Sequence, residues 1–204
     1  MKKRRKEMSA WATEHDFQIH EDTPRSLPLI EDQEMGLFRN GGSPTYRTVM
    51  SRTLDGREEY IFDFTYVISS GKSSQTVWRT VCAFRIKNIT LPSFSMSPEN
   101  FFHKIGSKLG YQDIDFKDSP KFSSNYLLRG KDESAIRESF GLSVMDYFGA
   151  NKDWYMDGSG EWLFLYRQAG WMSGRFGVDK LIDYHKETRR IFEYFLEGFP
   201  VDGD

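Results

Sequence analysis

The chain has 204 residues, a net charge of −2, 38% hydrophobic and 28% charged residues, and one cysteine. That length and balance fit one globular domain and exclude a disordered chain. The single Cys82 excludes an internal disulfide and a cysteine-rich zinc site. No stretch reaches the roughly 20 apolar residues of a membrane span, and no signal-peptide core follows the basic start, so the chain as it stands reads as a soluble, cytoplasmic protein.

Aromatics dominate the apolar side, with 17 Phe, 10 Tyr and 5 Trp, enough for a thick core or for a core plus a ring-lined binding surface. Lys2, Lys3, Arg4, Arg5 and Lys6 form an unbroken basic block ahead of an acidic body. This block opens a helix running to about His15, on which Met8, Trp11, Ala12 and His15 make one apolar stripe. Residues 1–16 thus read as a detachable basic amphipathic helix, and residues 17–204 as a single α+β domain.

From Phe17 to Pro44 the periodicity is lost in a stretch punctuated by Pro and Gly. Between Tyr46 and Ile86 the period becomes two: Tyr60, Phe62, Phe64, Tyr66 and Ile68 share one strand face, and Trp78, Cys82, Phe84 and Ile86 share one in the next run. Asp55-Gly56 and Ser70-Gly71 mark the turns, so three antiparallel strands in a meander are expected. Leu91 to Met96 reads as extended. A helix should follow, capped by Ser97, opened by Pro98 and Glu99, striped by Phe101, Phe102, Ile105 and Leu109, and stopped by Gly110. Phe116 to Leu128 reads as extended and interrupted by Pro120. Asp132 is placed to cap a helix through Ile136, Phe140, Val144 and Phe148, weakened at Gly141. Trp154–Met156 and Trp162–Tyr166 should form a hairpin, and Val178–Leu196 a closing helix. Strands cluster instead of alternating with helices, which favours an antiparallel sheet with helices packed on it.

The residues do not single out a chemistry. His15, His20, His103 and His185 are dispersed and sit in no nucleophile-elbow pattern. Asp113, Asp115 and Asp118 form the one cluster that could gather a cation or supply acid and base, since Asp113 and Asp115 point the same way in an extended segment. A calcium loop would also need a central glycine and a closing Glu, which are missing. Gly158-Ser-Gly160 reads as a hairpin turn, because it lacks the helix and third glycine of a dinucleotide loop. Trp78-Arg79 and Tyr166-Arg167 put ring and charge on opposite strand faces, which does not make a platform for bases, and with a negative total charge nucleic acid is not an expected partner. No cofactor is implied.

Leu91-Pro-Ser-Phe-Ser-Met-Ser-Pro-Glu99, Asp113-Ile-Asp-Phe116, Pro120-Lys-Phe-Ser123 and Tyr126-Leu-Leu-Arg-Gly130, with the hairpin Glu161-Trp-Leu-Phe-Leu-Tyr166, resemble a family of uncharacterised bacterial proteins. Those proteins carry a membrane helix or two near the N-terminus, followed by a domain of this size. The resemblance implies topology and no activity. It also implies that this chain is a shortened form or a member without the span. On that view Lys2, Lys3, Arg4, Arg5 and Lys6 would lie at the inner face of a membrane, where each cation near an anionic leaflet is worth about 1 kcal/mol. The functional expectation is a non-catalytic, membrane-proximal domain that binds a protein or a small ligand. The alternatives are a hydrolase-type enzyme using Asp113, Asp115 and a histidine, and a purely structural scaffold module.

Overall fold

A computed structural model describes residues 2–24, 27, 36–39, 42–70, 73–99, 112–167 and 173–199. In chain order the elements are α1 (Lys2–Glu14), β1 (Gln18–Ile19), α2 (Gly36–Arg39), β2 (Gly42–Leu54), β3 (Arg57–Ser70), β4 (Ser73–Arg85) and β5 (Leu91–Pro98). They continue with α3 (Pro120–Asn125), β6 (Tyr126–Gly130), α4 (Glu133–Ser139), α5 (Leu142–Ala150), β7 (Trp154–Gly160), β8 (Trp162–Arg167) and β9 (Ser173–Gly174). A short 3-10 turn at Val178–Lys180 leads into α6 (Leu181–Leu196).

The expected α+β class is what the structure has. One sheet runs in the order β1-β2-β3-β4-β8-β7-β5-β6, antiparallel throughout, and β9 adds a short parallel pair to β4. The meander β2-β3-β4 forms as expected, with Gly56 at φ +74° in its first turn, where a side chain would be strained. The β7–β8 hairpin packs its strands beside β4, which joins the two halves of the chain into one sheet.

Alternation along the strands divides the buried residues into two cores. On one face Met50, Ile61, Cys82, Phe84, Phe94, Trp154, Met156, Leu163 and Leu165 meet the helices, which contribute Met8, Trp11, Phe122, Ile136, Phe148, Phe192 and Phe195. Helix α1 is built into this core. Met8 and Ala12 are essentially inaccessible, so the basic end is not a free tail. On the other face Tyr60, Phe62, Phe64, Tyr66, Val81, Tyr155, Phe164 and Tyr166 lie under Leu27, Leu37 and Phe38. The aromatic face of β3 is therefore a covered core and not an open binding surface. Phe62 and Phe64 are 0% exposed, and burying each ring fully contributes roughly 1.5–3 kcal/mol.

Three local expectations need correcting. Ser97 and Pro98 do not open a helix; they close β5, pairing with Leu127 and Tyr126 of β6. The expected helix stripe at Phe101, Phe102, Ile105 and Leu109 lies outside the described residues. Pro120 starts α3 instead of interrupting a strand, because its fixed φ and missing N–H suit the first turn of a helix. The helix capped by Asp132 splits in two at Phe140–Gly141. Asp132 does cap its first part, accepting from the Ala135 amide at 3.1 Å. The closing helix forms as α6 over Leu181–Leu196, after the 3-10 turn at Val178–Lys180, with Leu181, His185, Phe192 and Phe195 buried on one face.

Candidate functional site

The sequence-marked polar positions do not gather into one site where they are described. One Asp113 carboxylate oxygen accepts from the Leu128 amide at 2.9 Å, and burial raises the Asp113 pKa. Asp115 and Asp118 are exposed, and the Asp115 carbonyl accepts from Arg137 at 2.7 Å. Among the described residues no group of three or more His, Cys, Asp or Glu is arranged to hold a metal ion. Cys82 is fully buried, and burial pushes its thiol up to about 12, which leaves it a core residue.

His15 stacks on Trp11, His20 meets the Ser51 hydroxyl at 2.7 Å, and His103 lies outside the described residues. His185 on α6 is buried, with Nε2 3.1 Å from Glu59 on β3. Arg52 and Arg189 also reach Glu59, at 2.8 and 3.0 Å. Burial lowers the His185 pKa, opposed by Glu59. Burial pushes Glu59 up, but the hydrogen bonds from His185 and Arg52 outweigh it and its net pKa is lowered. The consistent state is an ionised Glu59 held by two permanent cations, with a neutral His185 donating from Nε2. This network bolts β2, β3 and α6 together.

The open polar site lies elsewhere, beside the N-terminus of α1. A cleft of about 350 Å³ is lined by Arg4, Arg5, Glu21, Tyr46, Arg47, Thr48, Asp63, Trp78 and Arg175. Four arginines face two carboxylates there, in a chain whose net charge is −2. Asp63 is the floor. It sits on the helix-covered face of β3, between Ile61 and Thr65, where a lone carboxylate must find partners. Arg4 supplies both prongs, Nε to Oδ2 at 2.6 Å and Nη2 to Oδ1 at 2.8 Å. The Thr80 hydroxyl donates to Oδ1 at 3.1 Å, and Arg175 Nε stands 3.3 Å from Oδ2. Burial lowers the Arg175 pKa against the pull of Asp63, and Arg4 lowers it further; the guanidinium stays charged at any ordinary pH.

A bulge in β2 shapes the rim. Arg47 pairs with Asp63 and Met50 with Ile61, so one extra residue is inserted between them. Thr48 takes up the distortion at φ +50°, a costly conformation for a β-branched residue. The bulge sends Val49 into one core and Met50 into the other, and it brings Arg47 and Thr48 to the cleft. Trp78 forms the wall. The Arg47 guanidinium lies 5.7 Å and that of Arg175 4.6 Å from its ring centroid, within cation–π reach.

Of the basic block, Arg4 is turned inward, with only 12% of its side chain exposed, whereas the Lys3 side chain is 91% exposed. Arg5 borders the cleft, and Arg5 and Lys6 also flank a shallow groove along α1 with Ser9, Ala10 and Thr13. Sequence reasoning found the block but not its convergence with Arg47, Asp63, Trp78 and Arg175. The one signal available was Asp63, a carboxylate inside a strand otherwise fit for burial.

The fold has a solved counterpart. The crystal structure of the mycobacterial trehalose monomycolate transport factor A, TtfA, matches 99% of this chain over 97% of its own, with a TM-score of 0.62 and 15% identity. At that identity the likeness is one of fold. No family model matches the chain, and no curated protein is significantly similar to it in sequence. The family resemblance read from the residues is matched by no family model, and the solved counterpart bears out the α+β fold alone. Among the described residues no helix is long and apolar enough to cross a membrane.

Proposed function

We propose that this protein is a non-catalytic binding domain that works beside a membrane and holds an anionic ligand in the cleft between Asp63 and Trp78. The observation that carries this reading is the convergence of Arg4, Arg5, Arg47 and Arg175 in a protein of negative net charge. Positive charge collected against the field of the whole molecule focuses anions at one place. Arginine forks held by a carboxylate and by a ring are preorganised, so little freedom is lost when an anion arrives.

The basic end of α1 supports the membrane-proximal part. Lys3 and Arg5 are exposed at the same end of the molecule as the cleft, and each cation near an anionic leaflet adds about 1 kcal/mol. The structural counterpart is a trehalose monomycolate transport factor, and a binding role for this fold is compatible with that. The hydrolase reading finds less support, since Asp113 is committed to the Leu128 amide and His185 to Glu59. A pure scaffold would not need four arginines in a cleft.

The reading is tested by thermal shift with phosphate, sulfate and malonate on the wild type and on a variant combining R5Q and R47Q. Stabilisation of the wild type by at least one anion, lost in the variant, is the expected result. If no anion raises the melting temperature, the cleft is not a binding site.

A further inference from the structure

We propose that the group taken by this cleft is a phosphoryl group, carried as a phosphate ester on a larger molecule. This deepens the binding reading above and rests on it.

The chemistry follows from how the donors are distributed. A carboxylate has two coplanar oxygens and is satisfied by one guanidinium fork, which is how Asp63 is already held by Arg4. The other lining arginines come from three separate parts of the chain: Arg5 on α1, Arg47 at the β2 bulge and Arg175 just after β9. Donors approaching from several directions match a tetrahedral group with three outward oxygens and a charge near −2 better than they match a planar one. Arg175 is half-turned to Asp63, its Nε 3.3 Å from Oδ2, and its guanidinium also borders the cleft.

Trp78 narrows the choice. An indole face in an open cleft ordinarily invites a base or a sugar ring to stack, but here two guanidinium groups lie over it. Trp78 thus orients the arginines and does not offer a platform for a nucleobase. The cleft, at about 350 Å³, is in the size range of small-molecule sites and larger than a bare phosphate needs, so the ester's remaining part has room beside the phosphoryl group.

Such an ester comes from two sources, a soluble metabolite or a lipid headgroup. Calorimetry on the full chain with sn-glycerol 3-phosphate, and with malonate as a charge-matched dicarboxylate, reads the soluble arm. Cosedimentation with phosphatidylcholine vesicles, with and without phosphatidic acid, reads the lipid arm. At least one phosphate probe should bind, with glycerol phosphate about ten-fold tighter than malonate or phosphatidic acid required for sedimentation. R47Q should weaken that binding about ten-fold, the loss of one charge-assisted contact. R5Q is the second variant, since exposed Arg5 has no role in the core and its removal leaves the fold intact. Binding in only one arm identifies the source and upholds the inference. Malonate binding as tightly as glycerol phosphate, with R47Q weakening both, overturns the phosphoryl assignment while the anion-binding reading stands. Wild-type binding unchanged in R47Q and R5Q also overturns it, and a failure of every anion overturns both.

Discussion

Arg4 and Asp63, 59 residues apart in the chain, form a two-pronged ion pair at 2.6 and 2.8 Å that fixes the first turn of α1 to the middle of β3. Arg4 Nη1 also donates to the Phe176 carbonyl at 2.7 Å, so one side chain ties α1 to the sheet and to the segment between β9 and α6. The pair therefore serves both the fold and the floor of the cleft.

Removing one member leaves the other buried. Arg4→Ala strands Asp63, whose side chain is 2% exposed, with Thr80 and the more distant Arg175. Breaking such a buried pair from one side costs about 3–5 kcal/mol. Arg175 offsets part of this, so a loss near the lower end, about 3 kcal/mol, is expected in urea unfolding. Adding Asp63→Ala should recover much of it, because the uncompensated charge goes with it. A loss equal to that of an exposed ion pair, under about 1 kcal/mol, would show that Arg4 does not hold α1 in place.

Thr48 offers a separate test of the cleft's rim. At φ +50° a β-branched residue pays a backbone penalty of order 1–3 kcal/mol, whereas Asn accepts this region more easily. Thr48→Asn should raise stability by about 1 kcal/mol, read as a melting-temperature gain of about 2–4 °C. No gain, or a loss, would mean that the threonine side chain contributes something at the bulge that offsets its strain.

How much of this was legible in advance depends on whether the signal was local. The β3 alternation from Tyr60 to Ile68 announces a strand with one aromatic face. What covers that face is Leu27, Leu37 and Phe38, from a stretch with no periodicity to read, and so a covered core could be taken for a binding surface. Pro98 and Pro120 show the same ambiguity in small. Each suits a helix start or a strand edge, and pairing with Tyr126 settles the first while Ser119–Pro120 opening a turn settles the second. The cleft was the least legible part. Its members come from α1, β2, β3, β4 and the segment after β9, and a one-residue bulge at Thr48 directs two of them. A bulge leaves no mark in hydrophobic periodicity.

His185 should make stability depend on pH above the carboxylate range. Its folded-state pKa lies below the ordinary 6.5 because burial disfavours the imidazolium more than Glu59 favours it. The unfolded chain thus binds the proton first as pH falls, and stability present above 6.5 is lost as pH drops through the folded value. Glu59, with its pKa lowered, adds its own loss only below its ordinary 4.5, while Asp157 titrates in the opposite sense near 6, so between pH 7.5 and 5 the histidine is read from the difference between wild type and a non-titrating variant. His185→Gln keeps a donor for Glu59 and does not titrate. As pH falls from 7.5 to 5 the wild type should therefore lose stability relative to this variant. A wild type that instead gains on the variant as pH falls would mean that His185 is protonated in the folded protein and paired as an ion with Glu59.

Asp157 should do the opposite. It is 0% exposed on β7 and holds α2 in place, accepting from the Gly36 amide at 2.9 Å, the Leu37 amide at 3.0 Å and the Tyr166 hydroxyl at 3.0 Å. Burial pushes its pKa up from 3.8 to about 6, against the lowering effect of those hydrogen bonds and one from Ser95. With the folded value above the unfolded one, the native state keeps a proton that the unfolded chain has released. Stability from this group is then full below 3.8 and is lost as pH rises through about 6. Asp157→Asn removes that titration, and although its amide nitrogen can no longer accept from one of these donors, that loss does not vary with pH, so the pH dependence of the difference between wild type and variant isolates the group. Between pH 7 and pH 5 the wild type should gain on the variant by about 1 kcal/mol, since each unit of pKa shift is worth about 1.4 kcal/mol and only part of the titration falls in that window. Parallel profiles across this range would mean that the Gly36 and Leu37 amides outweigh burial, and that Asp157 stays ionised as the anchor of α2 at every pH tested.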